Sequence, residues 1–227
     1  LDRTVTVWDL ETGAEKASLE HREFVTSVQF GPGQDSKLLA SASANNIYLW
    51  NYETKEQVQV WRAHQSEITE VIFLGDGEFL LSAAHSGWIK IWDTKTFELK
   101  HQVLAHGATI NHVAHHRNEN GQMIVATTAA DARVRFWRIG SNPQDIQLIK
   151  DHPTESPIRS LNFTEEGDLF IARVEGSATI LEIGQNDAGH LFWEHHRTYP
   201  KQEPVGAISH DGETFATMGP ELDFMIW

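Results

Sequence analysis

The sequence contains no cysteine, and only three methionines and three tyrosines occur among its 227 residues. Without cysteine the chain has neither disulfide bonds nor thiolate chemistry. It also has no apolar run near the roughly 20 residues that span a bilayer, so we expect no membrane insertion. The first ten residues show neither a signal-peptide pattern nor an initiator methionine. We therefore expect a cytoplasmic protein whose natural start precedes Leu1.

Basic residues are scarce relative to acidic ones. The chain has 18 lysines and arginines against 32 aspartates and glutamates, which gives a formal net charge of −14. Domains that bind a nucleic-acid backbone usually show the opposite balance, so we expect no nucleic-acid partner. With 40% hydrophobic and 22% charged residues, the composition is typical of a soluble globular protein.

Tryptophan, in contrast, is abundant, and five of the eight tryptophans recur at a period. Each of the five ends a short apolar-rich run: Trp8, Trp50, Trp92, Trp137 and Trp227. The successive spacings are 42, 42, 45 and 90 residues, and Ile183 stands where the longest interval lacks a tryptophan. A period in the forties indicates an array of supersecondary units.

Each period reads as short strands and tight turns. In the third unit, residues 68–73 and 88–92 alternate between apolar and polar, 79–83 are apolar, and a weaker run lies near residue 100. This pattern predicts an all-β chain with four antiparallel strands per unit, linked by hairpins. The predicted units of this single domain, 1–227, are 1–20 (partial), 21–62, 63–104, 105–150, 151–193 and 194–227 (partial).

A histidine recurs in the connections between units, and three of the four copies precede a valine by seven residues. The four are His21, His64, His106 and His152. Together with the pairs Trp8-Asp9 and Trp92-Asp93, the pattern resembles the WD-repeat β-propeller family over the whole chain. The resemblance implies a β-propeller with four-stranded antiparallel blades.

The predicted strands number 21, because the chain opens with the last two strands of a unit and closes with the first three of another. Closed propellers use 4–8 blades of four strands. We therefore expect an incomplete part of a larger ring, most often seven-bladed in the family. The remaining blades or flanking domains are expected outside this sequence.

The resemblance also implies a buried polar chain in each blade. A tryptophan indole N–H only donates, so it needs an acceptor such as a serine or threonine hydroxyl, which then bonds to a histidine and onward to an aspartate. The candidates are His106, Thr128 (or Thr127), Asp131 and Trp137 in the fourth unit; His64, Ser82 and Trp92 in the third; His21, Trp50 and either Ser41 or Ser43 in the second.

Metal and catalytic sites are not expected. The densest histidine group, His112, His115 and His116, has no accompanying cysteine or carboxylate set, and strand and turn positions explain all three. The sequence contains no nucleophile elbow, zinc-protease, phosphate-loop or dinucleotide motif. We expect a protein that is not an enzyme, with no catalytic residue, no metal and no cofactor.

The family resemblance implies that partner peptides bind where the histidine connections emerge. The candidates on that face are Phe24, Trp88, Arg197, Tyr199 and Lys201, the last three in a predicted long connection, 195–204. Trp88 serves either as a binding anchor or as a cover for its own blade. We expect a non-enzymatic scaffold for a protein or peptide partner. The alternative is a ligand- or partner-sensing propeller module of a larger multidomain signalling ATPase, kinase or protease.

Overall fold

The computed structural model shows an all-β chain. It describes residues 3–33, 36–117, 121–140, 142, 144–154, 156–173, 178–185, 191–199, 205–209, 211, 214–218 and 224–226, with the backbone alone in 183–185, 191–199, 205–207, 215–218 and 224–226. Over these ranges 21 strands form six antiparallel sheets. No helix long and apolar enough to cross a membrane occurs among them.

The first of two compact units covers residues 1–110 and contains three sheets. Blade 1 has two strands, β1 (Thr4–Trp8) and β2 (Glu15–Glu20). Blade 2 consists of β3 (Val25–Phe30), β4 (Leu38–Ser43), β5 (Asn46–Asn51) and β6 (Glu56–Arg62). Blade 3 consists of β7 (Ile68–Leu74), β8 (Phe79–Ala84), β9 (Trp88–Asp93) and β10 (Leu99–Leu104).

The second unit covers residues 111–227 and contains the other three sheets. Blade 4 consists of β11 (Ile110–Arg117), β12 (Met123–Ala129), β13 (Arg133–Ile139) and β14 (Ile146–Pro153). Blade 5 consists of β15 (Ile158–Phe163), β16 (Leu169–Arg173), β17 (Ala178–Gln185) and β18 (Leu191–Tyr199). Blade 6 has β19 (Val205–Ile208), β20 (Phe215–Met218) and β21 (Phe224–Ile226).

The strand pattern predicted for the third unit is confirmed. The three runs 68–73, 79–83 and 88–92 lie within β7, β8 and β9, and the weaker run near residue 100 is β10. Within β9 the alternation appears directly in burial, since Ile89 and Ile91 are buried while Trp88 and Lys90 are partly exposed. The two-residue alternation that predicted this strand therefore also describes which of its side chains are buried.

The cores of the first unit lie between neighbouring sheets. Blades 1 and 2 share a cluster that includes Val5, Leu19 and Leu39, and blades 2 and 3 share one that includes Leu49 and Phe73. A comparable cluster joins blades 4 and 5 in the second unit. Because both faces of an inner sheet are covered, its strands are rich in buried apolar residues on each side.

Side chains also join blade 2 to blade 3 by hydrogen bonds. The Ser27 hydroxyl accepts from the backbone N–H of Val71 at 3.1 Å, and the Gln29 side-chain carbonyl accepts from the N–H of Phe73. Two residues further along β3, from Ser27 to Gln29, the partner is also two residues further along β7, so the two strands run in the same direction. The first residues of these two strands consequently lie at the same edge of the unit.

The residue after each of the first three periodic tryptophans closes the hairpin that follows. These residues are Asp9, Asn51 and Asp93. Asp93 Oδ1 accepts from the backbone N–H groups of Thr96 at 2.8 Å and Lys95 at 2.9 Å. These two bonds, that of Thr96 first, lower the pKa of the Asp93 carboxyl. An Asx turn of this kind explains a short polar residue at the end of the strand.

The connections of the first unit emerge at two opposite edges. One edge, called the histidine edge here, carries the connections 21–24, 44–45, 63–67, 85–87 and 105–109, four of which begin with or next to a histidine. The other, called the turn edge, carries the connections 9–14, 31–37, 52–55, 75–78 and 94–98. Antiparallel meanders force this separation, because successive connections alternate between the ends of a sheet.

Candidate protein-interaction site

A chain of three buried polar side chains crosses blade 3 towards the histidine edge. The Trp92 indole N–H donates to the Ser82 hydroxyl at 2.9 Å, and Ser82 Oγ lies 2.8 Å from His64 Nε2. Burial, and secondarily the positive charge of Lys90, lowers the pKa of His64 to about 4. The imidazole is therefore neutral at pH 7, which lets the serine hydroxyl donate to it.

Blade 2 contains the same arrangement. The Trp50 indole N–H donates to Ser41 Oγ at 3.1 Å, and Ser41 Oγ lies 2.7 Å from His21 Nε2. His21 Nδ1 lies 3.0 Å from the Leu19 carbonyl, which needs an N–H at that nitrogen and leaves Nε2 as the acceptor. Burial lowers the pKa of His21 as well. Of the two serines considered for this blade, Ser41 rather than Ser43 makes these contacts.

In blade 4 the choice of Thr128 was wrong. The Trp137 indole N–H donates to Thr127 Oγ1 at 2.9 Å, whereas the buried Thr128 hydroxyl has no hydrogen-bond partner in the part of the chain that the structure describes. Val125 is opposite Trp137 in the β12–β13 register, and Thr127 follows it by two residues. Successive side chains of a strand point to opposite faces, so Thr127 shares the tryptophan's side and Thr128 does not.

The other two candidates of that blade lie in different units. His106 is buried in the last connection of the first unit, 105–109. Asp131 belongs to the second unit, where its carboxylate lies 3.4 Å from Arg135 Nη1. The structure thus describes the two parts of the predicted set separately, and the bond between His106 and Asp131 stays a prediction.

Two of the proposed partner-binding aromatics lie on the histidine edge. Phe24, the last residue before β3, is 50% exposed. Trp88, the first residue of β9, is half-buried. Because β3 and β7 begin at the same edge, and β9 begins at that edge of its own sheet, both aromatic side chains belong to one surface of the first unit.

The predicted long connection over 195–204 was wrong in its first half. Residues 195–199 form the end of β18, where Arg197 is opposite Ile180 and Tyr199 is opposite Ala178 in the register with β17. The extension arises because β17 begins at Ala178 and offers backbone partners that far along. Lys201 lies outside the described residues. A binding role for these three residues stays a prediction.

Sequence reasoning missed an open depression on the histidine edge, between blades 2 and 3. It has a volume of about 540 Å³ and is lined by five residues: Arg62, Ala63, His64, Gln65 and Lys90. The alternation of β9 could have predicted the lysine of this depression. It places Trp88, Lys90 and Trp92 on one face of the strand, but only the two tryptophans were considered as functional residues.

The two cations of this depression are held in place by backbone carbonyls. Lys90 Nζ donates to the carbonyl of Ala63 at 2.8 Å and lies 5.6 Å from the centroid of the Trp92 ring. Burial lowers the pKa of Lys90. Arg62 Nε donates to the carbonyl of His64 at 3.4 Å. Both positive charges are thereby fixed at the surface of one groove.

The histidine group of blade 4 serves packing in this structure. The His116 ring lies 5.7 Å from the Phe163 ring centroid, and burial lowers the pKa values of His112, His115 and His116. Over the described ranges, no three histidine, aspartate or glutamate side chains meet in an arrangement suited to a metal ion.

Comparison with known proteins matches two segments of the chain to a repeat family. The family model "WD domain, G-beta repeat" matches residues 13–51 and 55–93. Both matches end at the third strand of a blade, one at Asn51 and one at Asp93. The matched segments therefore run from the last strand of one sheet through the first three strands of the next.

Curated relatives match longer stretches. The chain is 26% identical to "Target of rapamycin complex subunit LST8" of Saccharomyces cerevisiae, over 100% of this chain and 74% of that protein. It is 25% identical to "Target of rapamycin complex subunit wat1" of Schizosaccharomyces pombe, over 75% of the chain and 53% of the relative. "Nuclear distribution protein PAC1" of Arthroderma otae is 28% identical over 66% of the chain, which covers 35% of that protein.

Proposed function

The chain is a WD-repeat protein built from four-stranded antiparallel blades, and from this we propose that it is a non-enzymatic scaffold that holds a protein partner on its histidine edge. The observation that carries this role is the position of the exposed Phe24 and the half-buried Trp88 at one edge of the first unit, the edge at which the depression also opens. Aromatic side chains of this kind are enriched among the residues that dominate binding energy.

The blades are suited to a scaffold because their buried side chains hold the connections at the histidine edge in place and leave the surface of that edge free for a partner. Each tryptophan–hydroxyl–histidine chain of blades 2 and 3 ties a histidine-edge connection to the interior of its sheet. Fully bonded networks rigidify the elements they join. A connection that is already ordered loses little conformational entropy when a partner binds.

We also propose the kind of assembly. Two of the relatives, from budding and fission yeast, are named subunits of a target of rapamycin complex, and the first of them matches the chain over its full length. By this similarity the partner is a component of a complex of that kind. The repeat alone does not distinguish this assembly from others, since a relative named nuclear distribution protein carries a related sequence.

The test is co-purification of the tagged chain from the cells that carry its gene. We expect target of rapamycin complex components to co-purify with the wild-type chain. Trp88→Ala and Phe24→Ala should each weaken the purified interaction by about 1 kcal/mol or more, as expected for binding hot spots. The matched control is Leu10→Ala, because Leu10 is an equally apolar residue, 99% exposed, on the turn edge.

Two results would overturn this function. A wild-type chain that recovers no partner protein, under conditions where its blades are folded, contradicts the scaffold role itself. Loss of binding in Leu10→Ala, with both aromatic variants binding like the wild type, would place the partner on the turn edge instead.

A further inference from the structure

In blade 4, two cations on the third strand form ion pairs with one carboxylate of the fourth strand. Asp151 of β14 accepts from Arg133 Nε at 2.5 Å and from Arg135 Nε at 3.2 Å. Burial alone would raise the pKa of Asp151, but the two guanidinium groups outweigh it and lower the pKa. Asp151 is opposite Arg135 in the β13–β14 register. The fourth strand of this blade thus supplies the carboxylate that the third strand needs.

Blade 3 has the cation but lacks this carboxylate. Lys90 stands two residues before Trp92, as Arg135 stands two residues before Trp137. Its partner in the β9–β10 register is Gln102, which is neutral. Among the residues that the structure describes, Lys90 forms no ion pair.

Arg62 adds a second positive charge to the same groove. It ends β6, lines the depression together with Lys90, and is exposed. Within the described ranges it also forms no ion pair, and the one hydrogen bond of its side chain is to a backbone carbonyl. Two cations without an ion pair thus face one groove, in a chain whose net charge is −14.

We propose that this depression binds the carboxylate side chains of an acidic segment of a protein partner. The site rests on the scaffold role proposed above and specifies the chemistry of what is held. Arg62 offers a planar fork to a carboxylate, and Lys90 a point charge beneath it. Trp88 lies on the same face of β9 as Lys90 and gives the segment an apolar wall.

A carboxylate segment fits the groove better than a polyanion does. The two cations lie within one depression of about 540 Å³, the size of a pocket for a small ligand rather than for a long polymer. The chain's net charge of −14 disfavours a long row of phosphates, because like charges repel each other within a screening length of roughly 8–10 Å at physiological salt. A short acidic stretch followed by neutral or apolar residues meets both conditions.

The experiment measures fluorescence anisotropy of a labelled octapeptide that alternates glutamate and glycine, with the full chain as receptor. A peptide with glutamine in place of glutamate is the control ligand. We expect the glutamate peptide to bind and the glutamine peptide to bind at least about tenfold more weakly, with affinity falling as salt is raised.

Three variants locate the site. Lys90→Gln keeps an N–H donor for the Ala63 carbonyl but removes the charge, and Arg62→Gln removes the second charge. Gln102→Glu keeps both cations and adds the carboxylate that blade 4 supplies at this register position. Each variant should bind the glutamate peptide at least about tenfold more weakly than the wild type does. Lys95→Gln, at a lysine that is 80% exposed on the turn edge, changes the net charge equally and should bind like the wild type.

Each outcome decides one claim. If the three variants bind the glutamate peptide like the wild type, or if single-stranded oligouridylate competes as well as the peptide does, the acidic-segment site is wrong. If the peptide result fails while the co-purified partner still depends on Trp88, the scaffold role stands without this site. If the peptide binds as expected but no protein partner is recovered, the groove is an anion site and the scaffold role fails.

Discussion

The indole N–H of Trp92 and the hydroxyl of Ser82 are joined by a hydrogen bond of 2.9 Å between neighbouring strands, β9 and β8. The same bond joins Trp50 to Ser41 and Trp137 to Thr127. A buried indole N–H without an acceptor costs free energy, and the hydroxyl one strand away removes that cost. The periodic tryptophan and its hydroxyl are therefore one structural unit.

Ser82→Ala should lower the free energy of unfolding by about 1–3 kcal/mol. The substitution leaves both the Trp92 indole N–H and His64 Nε2 without their shared partner in the interior. Urea denaturation followed by tryptophan fluorescence measures the loss. The matched control is Ser82→Thr, because Thr127 accepts the equivalent bond in blade 4. An alanine variant as stable as the threonine variant would show that the hydroxyl contributes nothing.

Trp50→Ala should be far more costly than Trp8→Ala. Trp50 is 6% exposed and lies in the core shared by blades 1 and 2, whereas Trp8 is 57% exposed. Truncating a buried tryptophan to alanine costs about 3–5 kcal/mol through lost contacts and the cavity left behind. The exposed tryptophan should cost no more than about 1 kcal/mol. Equal losses in denaturation curves would contradict the burial of this position.

Acid should destabilise blade 3 through His64. Its pKa of about 4 in the folded chain lies below the ordinary value of 6.5, so the unfolded chain binds more protons between these pH values. The contribution of His64 to the free energy of unfolding is fully present above pH 6.5. It falls by on the order of 3 kcal/mol as the pH is lowered towards 4. Unfolding midpoints between pH 7.5 and 4.5 measure the slope.

A variant with an altered neighbour checks the origin of that slope. Lys90→Gln removes the positive charge that helps to lower the His64 pKa, so the His64 pKa should rise towards 6.5. Titration of the His64 ring by proton NMR reports it directly. A His64 pKa that stays near 4 in this variant would assign the whole shift to burial.

Gly87→Ala should destabilise the chain more than Gly13→Ala. Both glycines have positive φ, +80° and +68°, where alanine is strained by about 1–2 kcal/mol. A Cβ at Gly87 would in addition collide with the backbone carbonyl of His106, whereas nothing lies within 4 Å of a Cβ at Gly13. The collision adds about 1–3 kcal/mol. Thermal or urea unfolding separates the two variants, and similar losses would argue against the tight approach at Gly87.

Much of the fold followed from the sequence because tryptophan and histidine recur in phase. The alternation of residues 88–92 and the turn chemistry around Asp93 are local signals, and local signals suffice for hairpins. The end of β18 could not be predicted in this way. Residues 195–199 are strand because β17 offers them partners, which is a property of the neighbouring strand.

The site was harder to predict, since it depends on what is opposite in the sheet. Thr127 and Thr128 are equivalent by composition, and only the register with Trp137 separates them. In the sequence Lys90 is indistinguishable from an ordinary solvated cation. Only the register shows that it is opposite the neutral Gln102, whereas Arg135 of blade 4 is opposite Asp151. Exposure, which distinguishes an anchor from a core residue, is likewise a tertiary property.

The backbone N–H groups of Val71 and Phe73 on β7 donate to side chains of β3, to Ser27 and Gln29 respectively. Blade 3 thus completes two of its backbone hydrogen bonds with acceptors that belong to blade 2. A rearranged gene that replaced blade 2 with a repeat lacking these two acceptors would keep the strand pairing within each sheet and still lose this joint. The order of these two repeats along the chain is in this way part of what holds them together.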